Sequence, residues 1–525
     1  MKTVKQTFSE NSLILIISTI IIKIIGAIFK IPLASDMFLG DLGFGYYSVA
    51  HDIFMPFYVL AISGLPSAVS HITAELIAKN NNDAIFSNFK KSKKLFIISG
   101  IIFSVATVII SIPIVLSQET SKNTLYSIFA ILPSIFLCFV ISAYRGYFEG
   151  HNNMYPTAVS KIIEAVFKLV LGLLLSYFVI KTTNNPALAS AAALLAVSVG
   201  TLFATLYLSV KYKRQINNNF TLNTNSDKVN IKILFSLTLP YVLASLSASI
   251  ISIIDIFTVK TYIANASQEY LQMLNVNSID VSTYLYGIRS KAFTLFYLVP
   301  TITMSLGVSA VPIISKARAE GDSANLKNSC EFSLKIISFI TFPAAIGLTV
   351  LSKPIMNLLY SSCDVYSVNL MALYGIAALF AGFSVPLTSI IQALNLQKKA
   401  IVTIIVGITI KIAVNLLAVT FPNVNIFAAP LGTIICYLFL TVVMLVFLKK
   451  AVGKFSFFST VLKPLFAALV CGGCALFISN YFESKISTVI SIFVAFIVYI
   501  LVNFAIKTFE KSEILTLPII NKIIK

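Results

Sequence analysis

A chain of 525 residues that is 58% hydrophobic and only 11% charged, with a mean hydropathy of +0.91, falls outside the composition of soluble proteins and reads as a membrane protein. The six cysteines are scattered, the CxxC at Cys471 to Cys474 sits in an apolar run without a nearby histidine, and there are only three His. Neither GxxxxGK[ST] nor GxGxxG occurs and no soluble stretch reaches domain size, so a disulfide scaffold, a zinc site, an ATPase and a cofactor enzyme are all disfavoured. No catalytic residue, metal or cofactor is expected.

The N-terminal MKTVKQTFSENS runs straight into an apolar stretch that continues through Pro32, with no small-residue cleavage pattern behind it. It reads as a first spanning helix, not as a removed signal peptide. Each crossing needs about 20 apolar residues, and polar breaks delimit fourteen such stretches. In chain order they are 12–34, 45–66, 95–116, 124–145, 157–180, 187–210, 232–260, 284–312, 332–351, 367–394, 400–419, 426–448, 460–480 and 486–506. The expected fold is therefore all-α, a polytopic membrane protein of 14 transmembrane helices.

Lys and Arg collect on the cytoplasmic side of membrane proteins. Loops on the side of the N-terminus hold 26 of them, Arg145 included, and the opposite loops hold four, Lys122, Lys181, Lys353 and Lys485. Both termini are thus expected in the cytoplasm of a bacterial cell membrane. Much of the net charge of +19 is this bias, so nucleic acid is not an expected partner.

The halves resemble each other at a nearly fixed offset. Gly45, Phe54, Ser63 and Ser67-Ala68-Val69 recur 242 positions later as Gly287, Phe296, Ser305 and Ser309-Ala310-Val311, while Asn152 and Lys168 recur 243 later as Asn395 and Lys411. Helices 1 to 6 (residues 1–230) and 7 to 12 (231–450) then form two six-helix lobes of like orientation, with helices 13 and 14 and a cytoplasmic tail in 451–525.

Ionisable residues inside spans each cost several kcal/mol unless they face protein or water. Lys23 lies near mid-depth in helix 1 and Lys30 follows on the same face; Lys161, Glu164 and Lys168 share a face of helix 5; Lys411 takes the matching place in helix 11. Arg289 and Lys291 lie in the outer part of helix 8, His51 and Asp52 in that of helix 2. Six cations (Lys23, Lys30, Lys168, Arg289, Lys291, Lys411) against two acids (Asp52, Glu164) suit an anionic ligand. Plainer readings stand beside this one: Glu164 and Lys168 can neutralise each other at i, i+4, Lys30, Lys161 and Lys335 can snorkel, and His51 with Asp52 can be a simple pair.

The runs Ile25-Gly26-Ala27-Ile28-Phe29-Lys30-Ile31-Pro32, Gly43-Phe44-Gly45-Tyr46-Tyr47, Gly64-Leu65-Pro66-Ser67-Ala68-Val69-Ser70 and Tyr144-Arg145-Gly146-Tyr147-Phe148-Glu149-Gly150 resemble stage V sporulation protein B and its polysaccharide-exporting relatives. So does the segment from Met154 to Glu164. The chain looks like a member of the multidrug/oligosaccharidyl-lipid/polysaccharide exporter superfamily, close to the MurJ-type lipid II flippases. The resemblance implies two six-helix lobes that open alternately to each side, with basic residues of helices 1, 2 and 8 on a pyrophosphate and a groove at the two extra helices for a polyprenyl tail. Carried onto this chain, Lys23 or Lys30 and Arg289 match, whereas His51 and Asp52 stand where helix 2 of the family has an Arg. Lys168 and Lys411 would compensate.

The leading expectation is a flippase for an undecaprenyl-pyrophosphate-linked glycan, with membrane lipid around it and cell-wall synthesis enzymes as candidate partners. A sodium- or proton-coupled multidrug exporter is the alternative. A membrane glycosyltransferase is a third reading, but the longest outer loop, 261–283, holds Glu269 and Asp280 without His or Cys.

Overall fold

The computed structural model describes residues 8–78, 82–116, 122–217, 249–266, 280–360, 365–453, 456, 458–481 and 484–509. Every regular element among them is helical. Among the described residues, twelve helical stretches are long and apolar enough to cross a membrane, and each overlaps one of the predicted spans. Of the remaining two predicted spans, the first coincides with α1, Phe8–Leu33. The seventh, 232–260, lies largely outside the described residues.

The chain divides into two compact units, Met1–Gly287 and Ile288–Lys525. In the first, α2 (Gly40–Val59) passes through a π-helical turn, Leu60–Gly64, into α3 (Leu65–Ala78). Pro56 and Pro66 flank that turn, and because proline has no N–H and crowds the carbonyl one turn earlier, the helix ladder widens there. Then come α4 (Asn82–Leu116), α5 (Thr124–Gly150), α6 (Tyr155–Thr183) and α7 (Pro186–Asn217). Residues 249–255, a π turn at Ile256–Lys260 and α8 (Thr261–Asn265) form a further helical stretch.

At the centre of the first unit α5 packs on α2, α3, α4 and α7, while α6 packs on α1 and α7. The α3–α5 seam explains the GYFEG motif. A Cβ on Gly146 would stand 2.6 Å from Val69 Cβ and 2.7 Å from the Pro66 carbonyl oxygen, and one on Gly150 would crowd Thr73 and Ser70. Small residues one turn apart let two backbones close up where lipid gives no hydrophobic drive to associate. The outward face of α4 presents Ile98, Ile101, Ile102, Val105 and Ile109, as a lipid-facing surface should.

This seam corrects the helix 4 boundary. Because Gly146 and Gly150 are needed on α3, the helix runs on to Gly150, and Arg145 is a buried helix residue at 1% exposure instead of a loop cation. Removing it from the loop tally leaves the asymmetry of Lys and Arg intact.

The helix α9 (Val281–Phe296) begins in the first unit and ends in the second, where α10 (Leu298–Ala319), α11 (Ser323–Val350), α12 (Ser352–Leu359), α13 (Val365–Ala393), α14 (Gln397–Ala418) and α15 (Ala428–Val452) follow. Here α13 packs on α10, α11 and α15, and α14 packs on α15, the order in which α5 and α6 meet their neighbours in the first unit. The turns agree too. Asn152 and Asn395 take positive φ of 55° and 56° before α6 and α14, and Asn184 and Asn425 do so before α7 and α15, a conformation that asparagine tolerates better than most residues. Last come α16 (Lys463–Tyr481), packed on α11, and α17 (Lys485–Ala505), whose N-terminus is capped by Ser484.

Candidate functional site

An aromatic ladder organises the cations of the first unit. Phe29 on α1 meets Tyr47 on α2 edge-on at 6.1 Å, and Tyr47 stacks on Phe44 at 5.8 Å and on His51 at 5.5 Å. Across Phe29, at 5.0 Å from its ring centre, stands the ammonium of Lys168 on α6. Gly172, one turn along α6, leaves room for that ring, since a Cβ there would come within 2.6 Å of it. Lys30, half-buried next to Phe29, repels Lys168, and Lys23 farther up α1 is exposed. The helices α1, α2 and α6 thus bring Lys30, Lys168 and His51 to one neighbourhood, with an aromatic face under the cation.

The two acids are engaged. Asp52 Oδ1 lies 3.6 Å from His51 Nδ1, and its Oδ2 accepts a 2.8 Å hydrogen bond from the Tyr286 hydroxyl on α9. Glu164 pairs with Arg145 at 3.0 Å, and Arg145 Nε also donates to Ser160 Oγ at 3.0 Å. The direct bond of Glu164 is thus to Arg145: the extended α5 lays a guanidinium on α6, while Lys168 is held near the carboxylate's charge without a bond to it.

In the second unit Arg289 is fully buried on α9. Its Nε donates to the Tyr374 hydroxyl at 2.8 Å, and its guanidinium carbon sits 4.1 Å from the Phe293 ring centre. Lys291, also fully buried, lies 5.2 Å from the ring centre of Tyr360. Lys411 is buried between α14 and α15, donating to Thr433 Oγ1 at 2.9 Å and to the Ala429 carbonyl at 3.3 Å. Lys168 and Lys411 hold matching positions in their helices but have unlike surroundings, a ring in one case and neutral oxygens in the other.

Among the described residues, buried charged side chains outside the sequence-level selection include Arg145, Asp255, Lys260 and Asp280. Lys260 Nζ is 3.5 Å from Ser282 Oγ, which donates to Asp280 Oδ1 at 3.2 Å, and the same oxygen accepts the Thr283 N–H at 3.1 Å. Asp280 thereby caps α9, and an Asp three residues before Thr283 at the head of an apolar run was the available signal. Among the described residues no group of three His, Cys, Asp or Glu could hold a metal ion.

Against known sequences, residues 8–318 match the polysaccharide biosynthesis protein family. The chain belongs to that family. Stage V sporulation protein B of Bacillus subtilis (strain 168) is 26% identical over 545 aligned positions, covering 99% of each chain. Lipid II flippase MurJ of the same organism is 23% identical over 429, covering 77% of this chain and 76% of the relative. Among solved structures, lipid II flippase MurJ in an inward closed conformation superposes with a TM-score of 0.65 at 15% identity, covering 93% of this chain and 97% of that one. An inward-facing MATE family multidrug transporter of the MOP superfamily gives 0.64 at 15% identity, over 84% and 97%. The chain shares their fold and is a multi-pass membrane protein.

Proposed function

We propose that the protein is a flippase that carries an undecaprenyl-pyrophosphate-linked glycan, lipid II or a related cell-wall precursor, from the inner to the outer leaflet by alternating access. The observation that carries this reading is the balance of charge at the candidate sites. Lys168 in the first unit and Arg289 and Lys291 in the second stand over aromatic rings, with Lys23 and Lys30 on α1 as further cations, whereas Asp52 and Glu164 are bonded to Tyr286 and Arg145. A pyrophosphate losing its water gains charge-assisted hydrogen bonds from such groups, and no bond need be broken. The protein is a transporter, not an enzyme. A drug exporter for cations would centre its site on a carboxylate, and the charge balance opposes that.

On this reading helices 1–6 and 7–12 form the two moving lobes, residues 451–525 add helices 13 and 14 and a tail, and both termini are cytoplasmic. Enzymes that build the lipid-linked glycan inside and polymerise it outside would be its partners. Lys411, bonded to neutral oxygens of its own unit, serves packing on this reading, while Lys168 stays with the ligand cations.

The test is binding and flipping of a pyrophosphate-linked polyprenyl glycan in proteoliposomes. Hydrogen bonds to charged groups contribute about 1.5 to 3 kcal/mol, so Lys23→Ala and Arg289→Ala should each weaken binding roughly ten- to hundredfold. Lys485→Ala, at the start of α17, should change nothing. Normal flipping by both cavity variants, with Asp52→Asn abolishing export of an organic cation, would replace this reading with the drug-exporter one.

A further inference from the structure

Pro343 interrupts the hydrogen-bond ladder of α11. In a helix each N–H binds the carbonyl four residues earlier, and proline has no N–H, so the Phe339 carbonyl loses its partner within the helix. Tyr499 of α17, 2% exposed, supplies another donor: its hydroxyl reaches that oxygen at 2.8 Å, and its ring lies 5.0 Å from the ring of Phe339. A buried carbonyl stripped of its bond is costly, and helices bend at such prolines.

The chain beyond α17 secures the donor. Asn503, one turn past Tyr499, donates to the Tyr499 carbonyl and accepts the Thr508 hydroxyl, each at 2.8 Å. The backbone turns at Lys507 with a φ of 49°, and Lys463 at the head of α16 holds the Lys507 carbonyl at 2.9 Å. That turn lays Phe509 edge-on against Phe339 at 5.3 Å, with the ammonium of Lys335 5.8 Å from the Phe509 ring centre. On its other side α11 meets α13 at glycines. A Cβ on Gly375 would collide with Thr349 and one on Gly382 with Thr341, so the two contacts straddle Pro343. Beside Gly375 stands Tyr374, whose hydroxyl accepts the Arg289 Nε–H at 2.8 Å. Backbones seated this closely move together, so a bend of α11 at Pro343 carries through α13 to the guanidinium.

We propose that Tyr499 is a positioning residue for the anion site: by holding α11 at Pro343 it sets, through α13 and Tyr374, where Arg289 stands. The proposal rests on the transport reading for the ligand of Arg289. It gives α17 and the turn that follows it a part in ligand binding by the second unit, exercised through α11 without a contact to the ligand.

The experiment measures binding of a pyrophosphate-linked polyprenyl glycan in proteoliposomes, for variants that each elute as a folded species. Tyr499→Phe keeps the ring and removes the donor; it should weaken binding about fivefold, within the range that residues along a coupled chain produce. Pro343→Ala returns an N–H to the Phe339 carbonyl, so adding Tyr499→Phe to it should cause no further loss. Adding Tyr499→Phe to Arg289→Ala should likewise leave the residual binding unchanged. Wild-type binding by Tyr499→Phe, or the same loss with and without Pro343→Ala or Arg289→Ala, overturns the proposal.

A second arm needs no ligand and decides the matter if Pro343→Ala does not accumulate. In a protein whose own cysteines are replaced, spin labels at Asn328→Cys and Lys353→Cys, both exposed, bracket α11. The distance between them should shift or broaden when Tyr499→Phe is added, and an unchanged distribution overturns the proposal. A distance that responds in a protein that binds no glycan even as wild type would instead refute the transport reading and leave the hold of Tyr499 on α11 standing.

Discussion

The buried pair of Arg145 and Glu164 offers the sharpest test of what a charge inside this bundle does. Arg145 is 1% exposed and the Glu164 side chain 14%, with nitrogen and oxygen 3.0 Å apart and Ser160 holding Arg145 Nε. Removing one member of a buried pair strands the other, which costs about 3 to 5 kcal/mol, whereas replacing both by apolar groups of similar size is often neutral. The asymmetry of exposure decides the order. Glu164→Leu leaves a guanidinium that cannot shed its charge, so it should sit at the upper end of that range. Arg145→Met leaves a carboxylate that is partly solvated, so it should sit at or below the lower end. The double variant Arg145→Met/Glu164→Leu should recover most of the loss, giving a coupling of a few kcal/mol in a double-mutant cycle. Equilibrium unfolding of the purified protein in detergent, followed by flipping of the folded fraction, measures it. Additive losses would refute the structural reading of this pair. So would a fully stable Glu164→Gln that no longer flips, which would move Glu164 into the coupling machinery.

Three further outcomes are expected. His151, in the turn between α5 and α6, has its pKa lowered from 6.5 by burial, against the opposing hydrogen bond to the Tyr147 carbonyl. The folded state therefore binds this proton less readily than the unfolded chain, and stability present above about pH 6.5 should fall as the pH drops below it; melting curves of His151→Gln should show a weaker acid dependence than wild type. Lys411→Ala, which strips the ammonium from Thr433 and Ala429, should lower folded yield and detergent melting temperature, whereas Lys23→Ala, at an exposed position, should melt like wild type. A cysteine placed at Thr183, the last residue of α6, should react with an impermeant maleimide from outside, and one at 216–226 only from inside; the reverse pattern would overturn the topology.

Span positions were legible in the sequence because an apolar run of membrane length has few other uses, and all twelve described spans fall on runs found that way. The excess of Lys and Arg over Asp and Glu inside the spans was legible for a related reason: charge there is costly, so each such residue stands out. Neighbours were not legible. Nothing in the order of residues says that Asp52 meets a tyrosine 234 positions away, or that Arg145, at the end of an apparent span, is carried inward because Gly146 and Gly150 must lie on α3. Lys168 and Lys411 are equivalent by offset, yet one faces Phe29 of α1 and the other Thr433 of α15. A hydrophobic pattern records how much of a helix avoids water; in lipid every face does, so which face meets which helix is settled only by the fit of small residues and the pairing of polar ones in the folded bundle.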